Sequence, residues 1–168
     1  AYSVKINVDK LKVDKRKLNV YMYLLYTLLF GDTSNFDEKM KKQGIITSTL
    51  YYNFLDIGSH FILSLINSCY EYEKLIKEIE KVSSNITINK NEFERKKKVL
   101  ISNEIFSYEN VEMINDMIID NILFDGTIYE DTIGMINSLN VEELEKIIKE
   151  IDWNNKSIVI LDKNATAE

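Results

Sequence analysis

The spacing of apolar residues along this chain changes from a period of two to about 3.6 and back, which removes both purely helical and purely extended folds. Tyr2, Val4, Ile6 and Val8 alternate with Ser3, Lys5 and Asn7, the mark of a half-buried strand. Polar residues follow up to Asp14, a suitable N-cap, and then Leu18, Tyr21, Leu24, Leu25, Leu28 and Leu29 recur at helical spacing as far as Gly31. Ser34 opens a second, shorter helix through Phe36 and Met40 that ends on Gly44. From Thr47 the period is two again: Leu50, Tyr52 and Phe54, turn residues at 56–59, then Phe61, Leu63 and Leu65, which together predict a hairpin.

The remainder is mostly helical. Leu75, Ile76, Ile79 and Val82 mark a helix that the polar cluster at 83–85 ends. A helical pair is expected over 91–108 and 110–124, closed by Gly126. Asn140, with Glu143 three residues on, resembles a capping box ahead of Leu144, Ile147, Ile148 and Ile151, and a last strand is expected at 157–161. Strands and helices neither alternate strictly nor segregate, so the expected class is α+β: one antiparallel or mixed sheet of at least four strands packed against helices. A chain of 168 residues, 45% hydrophobic and 29% charged, suits a single domain over 1–168 with its own core.

The composition is informative about chemistry mainly by exclusion. A net charge of −6 opposes binding to a phosphate backbone, and Arg95, Lys96, Lys97 and Lys98 form the one basic cluster, so no nucleic-acid partner is expected. The apolar stretch over 21–30 is well short of the roughly 18 residues a bilayer span requires, so no membrane partner is expected either. A single cysteine, Cys69, suits a reducing compartment, and the cytoplasm is the expected location. The start at Ala1 rather than Met suggests a processed or excised chain, and the sequons at Asn85, Asn155 and Asn164 would matter only after secretion.

Catalytic zinc takes typically three side-chain ligands, yet the chain has one histidine, His60, one cysteine, and neither His-Glu-x-x-His nor its inverse. No metal site and no catalytic residue are expected within it. A Cys/His nucleophile is excluded if 60–69 is extended, because nine steps of about 3.3 Å part His60 from Cys69 by roughly 30 Å. Glu71, Glu73, Glu78, Glu80, Glu142, Glu143 and Glu145 are interspersed with lysines as on a solvated helix face, where opposite charges three or four apart pair along the helix. Phosphate-binding glycine loops and the serine-hydrolase elbow are absent.

Three stretches carry a resemblance. Residues 28–46 run from a helix ending at Gly31, through Thr33 and Ser34, to a short helix and the pair Gly44-Ile45; the second stretch is Asn91-Glu92-Phe93-Glu94-Arg95-Lys96-Lys97-Lys98; the third is Ile136-Asn137-Ser138-Leu139-Asn140-Val141-Glu142-Glu143-Leu144. In this order they resemble the pitrilysin/insulinase family of zinc metallopeptidases, and within it the C-terminal, non-catalytic half of bacterial members akin to the mitochondrial processing peptidase, the YmfH-like branch. The resemblance implies a half that closes with a homologous zinc-bearing half or subunit around an unfolded or extended peptide, the zinc being held in that partner. Active members often place an Arg, and a Tyr seven residues later, on the substrate; Met40 and Thr47 stand at those positions here, a departure from the pair. The implied chamber wall is the strand region 47–67, with Met40, Gly44, Thr47, Thr49, Tyr51 and Asn53 as residues facing the substrate or the interface. Both strand faces, Leu50/Tyr52/Phe54 and Tyr51/Asn53, remain open as the inward one. An assembly or scaffold module of the same fold without proteolysis is the alternative, and a small-molecule site on the aromatic hairpin a third.

Overall fold

The computed structural model describes residues 1–161; the sequon at Asn164 lies outside them. The alternating segments form strands β1 (Tyr2–Asn7), β2 (Tyr51–Asp56) and β3 (His60–Ile66), joined by β4 (Lys156–Ile158), in one antiparallel sheet of order β2-β3-β1-β4. The helices are α1 (Val8–Leu11), α2 (Lys15–Leu29), α3 (Asn35–Lys42), α4 (Tyr72–Ser84), α5 (Lys90–Ser107), α6 (Val111–Asp120), α7 (Thr132–Ser138) and α8 (Val141–Glu150), with a π-helical turn at Asn121–Asp125. This is the expected α+β arrangement. The register sets Tyr52, Leu65 and Tyr2 in one row and Phe54, Leu63 and Val4 in the next, so the alternating apolar residues of three strands share a face. That face packs on the helices, and α2, with Leu18, Tyr21, Met22, Leu24 and Leu25 buried, lies at the centre of the core.

Several boundaries differ from the periodic pattern for identifiable reasons. Val8 begins α1 instead of prolonging β1, because Asn7 Oδ1 accepts the Asp9 N–H at 3.0 Å and caps a helical turn. The alternation from Thr47 predicts a longer second strand than is found. β2 starts only at Tyr51, since the Asn67 amide donates to the Ser48 carbonyl (2.8 Å) and the Tyr26 hydroxyl to the Leu50 carbonyl (2.7 Å). The last strand covers Lys156–Ile158 rather than 157–161, and just past it the Val159 N–H donates to the Ala1 carbonyl at 2.9 Å. Helix α7 is an addition: Asp131 caps it through the Gly134 N–H at 2.6 Å, but seven residues are too few to show a period.

The two punctuating glycines work as backbone conformation requires. Gly44 has φ +69°, its N–H donates to the Lys41 carbonyl and the Ile45 N–H to the Met40 carbonyl, both at 3.0 Å, a Schellman ending for α3. Gly58, at φ +86°, lets two residues turn the β2–β3 hairpin, helped by Asp56 Oδ1 accepting its N–H at 2.8 Å.

The capping box expected at Asn140 is present in altered form. Asn140 Oδ1 accepts the Glu143 N–H at 2.9 Å, but the reciprocal bond from the Asn140 N–H goes to the Tyr21 hydroxyl at 3.0 Å. That hydroxyl in turn donates to Glu143 Oε2 at 2.5 Å, so a fully buried tyrosine of α2 completes the cap of α8. Burial, and then the bond to Glu143, raise the Tyr21 pKa above its ordinary value of 10.0. Charged pairs tie other elements together: Lys39 of α3 to Glu78 of α4 at 2.6 Å, Lys15 of α2 to Asp56 of β2 at 3.2 Å, and Lys156 of β4 to Glu80 of α4. The helical glutamates expected to pair along their own helices thus partly bridge between elements, while Glu71–Lys74 keeps the i,i+3 pattern.

Tyr21→Phe leaves the Asn140 N–H without its partner, and a loss of about 1–3 kcal/mol in denaturant stability is expected. Because the hydroxyl's folded pKa is raised, its stabilisation is fully present below the unfolded value of 10.0 and is lost as pH rises above it. Wild-type protein should therefore lose stability above about pH 10 more steeply than Tyr21→Phe, as followed by circular dichroism in alkaline titration.

Candidate functional site

Among the described residues the sheet is covered on one side only. Opposite the packed rows, Tyr51 (64% exposed), Asn53 and Leu55 (50% exposed) of β2 stand beside Ile66, Ser64 and Ile62 of β3, and beyond them Ser3 and Lys5 of β1. No described element buries this face, and it is bound laterally by a hydroxyl pair, Ser3 Oγ to Ser64 Oγ at 2.8 Å. The other face of β2 is committed to the core: Tyr52 stacks on Tyr26 at 4.7 Å between ring centroids, and Phe54 meets Phe61 edge-on at 4.5 Å. Between the two alternatives left open by the sequence, Tyr51/Asn53 is therefore the accessible face and Leu50/Tyr52/Phe54 the packed one.

β2 is also an outer strand. Among the described residues it pairs with β3 alone, so in an antiparallel ladder alternate N–H and C=O groups along it point away from the sheet. Exposed edges are usually guarded by lysine or proline, and Tyr51–Asp56 contains neither. Such an edge is geometrically suited to accept another extended chain, with outward side chains grading what binds.

The residues singled out from the sequence fall into two groups. Thr47, Thr49, Tyr51 and Asn53 run in alternation along the exposed approach to β2 and the strand itself, and Thr49 Oγ1 accepts from Lys41 Nζ at 2.9 Å. Met40 is entirely buried, and Gly44 ends α3, so neither side of that turn presents a side chain to the β2 edge. Tyr52 was not among those residues as a site, yet its hydroxyl is buried without a partner among the described residues, next to a cavity of about 360 Å³ lined by Tyr23, Asn103 and Glu104. Burial raises its pKa above the ordinary tyrosine value.

Three of the four residues in the basic run of α5 find partners within the molecule. Arg95 pairs with Glu92 at 2.6 Å, Lys96 donates to Thr33 Oγ1 at 2.8 Å, and the nearly buried Lys97 donates to the Leu139 carbonyl at 3.0 Å. His60 and Cys69 lie at and beyond opposite ends of β3; His60 Nδ1 is bonded to Ser59 Oγ at 2.9 Å, and burial pushes the Cys69 thiol up. Among the described residues no three histidine, cysteine or carboxylate side chains are grouped to hold a metal ion, and this donor set does not fit catalytic zinc. Among the same residues no helix is long and apolar enough to cross a membrane.

No family model and no curated protein matches this sequence. Solved structures do match it. With a TM-score of 0.73 and 15% identity, 92% of the chain superimposes on 38% of a protein from Alicyclobacillus acidocaldarius described as an M16-like peptidase. The fold is that of M16-like peptidases. A protease from Helicobacter pylori gives a TM-score of 0.68 at 18% identity, again over 92% of this chain and 38% of that one. The chain thus spans well under half the length of both. The inactive peptidase domain of a Bordetella parapertussis protein described as a zinc protease matches over 99% of this chain and 93% of its own, at a TM-score of 0.60 and 12% identity.

The division of β2 into two faces has a measurable consequence. Tyr51→Ala and Asn53→Ala should each change unfolding free energy by less than about 0.5 kcal/mol, whereas Phe54→Ala should cost about 3 kcal/mol, read from urea midpoints.

Proposed function

We propose that this chain is a non-catalytic half of an M16-type, zinc-dependent peptidase-like protein, forming part of a closed chamber that holds an extended peptide for a zinc site in another half. The observation that carries the reading is the extent of the likeness: nearly the whole chain corresponds to 38% of a longer M16-like neighbour. A second half then has to supply what this one lacks, and the single histidine is too few ligands for catalytic zinc.

The contribution of this half is shape and backbone. An extended peptide laid along the free edge of β2 gains main-chain hydrogen bonds, with Tyr51 and Asn53 on the strand and Thr47 and Thr49 on its approach supplying side-chain contact. A covering wall excludes water, which strengthens every polar interaction made to the substrate inside. We place the C-terminal, processing-peptidase-like character of this half, and its cytoplasmic setting, within the same proposal. A scaffold role without hydrolysis is the second reading, favoured by the match of almost the entire chain to an inactive peptidase domain.

The two readings separate in one reconstitution. On the first, the chain alone leaves a quenched fluorogenic peptide of extended conformation intact, and adding the partner half that bears His-x-x-Glu-His restores zinc-dependent cleavage. Cleavage by the chain alone would overturn the proposal, and a partner that binds without any cleavage would leave the scaffold reading in its place.

A further inference from the structure

Helix α6 is unlike every other α-helix among the described residues, because none of its residues is buried. Ile114, Met117 and Ile118 are half-buried toward the domain, while Val111 (79% exposed), Met113 and Ile119 face outward, and the apolar surface continues through Leu123 (71% exposed) of the π turn. Apolar surface of this kind on a helix is the usual contact of a second amphipathic helix.

The charge around it identifies the chemistry of the occupant. From Val99 to Glu145 there is no lysine or arginine, but there are eleven carboxylates. Glu112, Asp116 and Asp120 recur every four residues and so form one stripe along α6, a spacing at which like charges destabilise a helix. The side chains of these three take part in no ion pair or hydrogen bond among the described residues, where nine other carboxylates are in ion pairs. A second copy of the chain would bring the same stripe and a net charge of −6 against itself. Nucleic acid and anionic lipid are repelled for the same reason.

We propose that α6 is a docking surface for a basic amphipathic helix carried by a protein partner. Lysines or arginines four residues apart on that helix neutralise Glu112, Asp116 and Asp120, and its apolar face covers Met113, Ile119 and Leu123. Methionines at such a surface adapt to different side-chain shapes. This contact stands whether or not the chain belongs to a working peptidase.

The test is fluorescence anisotropy with the full chain and a labelled amphipathic helical peptide of leucine and lysine. Saturable binding is expected, at least about tenfold weaker when salt rises from ~50 to ~300 mM, as exposed ion pairs require. A scrambled peptide of the same composition should bind at least about tenfold more weakly, because apolar residues must share one face. The variant E112Q/D116N/D120N, which relieves repulsion and so should fold at least as well, is expected to lose at least about tenfold in affinity. Equal binding of the scrambled peptide, or unchanged binding by the triple variant, overturns the proposal. A dimer in sedimentation that Ile119→Asp dissolves would assign the surface to self-association and overturn it as well.

Discussion

The Tyr21 hydroxyl is the point on which the two ends of this domain depend. It lies on the most buried helix and bonds at once to the backbone of Asn140 and the carboxylate of Glu143, residues more than a hundred positions away. A capping box is ordinarily a local device that needs nothing beyond its own four residues. Here the local device is opened and a core side chain inserted, so α8 is fully capped only when it is docked on α2. The consequence reaches the sheet, since α8 leads directly to β4, which lies beside β1 at the outer end of the strand order. Burial keeps the hydroxyl protonated, which is the form that can give its proton to Glu143 while accepting from Asn140.

A second constraint follows from how the sheet is covered. With α2 packed against one face, the Tyr52 and Phe54 row is spent on packing, and the Tyr51 and Asn53 row is left to solvent. The same strand is the sheet's outer edge, and it lacks the lysine or proline that commonly discourages pairing. One strand therefore offers backbone and side chains together. That combination suits the strand geometrically to accept another extended chain.

The charge distribution divides the molecule in a way that secondary structure does not. The basic run on α5 reads as a surface patch, but Arg95, Lys96 and Lys97 each find a partner inside the domain. The carboxylates of α6 do the opposite: their spacing suggests an ordinary solvated helix, and among the described residues Glu112, Asp116 and Asp120 form no ion pair. Whether a charge is spent or free depends on what the chain folds next to it, and neighbours along the sequence do not report that.

Periodicity by itself determined the class of the fold, the main helices and the hairpin, because each rests on residues within a turn or a strand of one another: Asp14 before Leu18, Ser34 before Phe36, Gly44 after Met40, Asn140 before Glu143. The resemblance of three short stretches to the pitrilysin family pointed to the same fold that the structural neighbours have. Tertiary structure alone decided where strands stop, as Asn67 and Tyr26 reach across to take carbonyls just ahead of β2. It also decided which face of β2 is open, since either alternate row could have met the helices and only the docking of α2 chose. Local pattern fixes what a segment can be; the distant partner that removes one face from water fixes what it does.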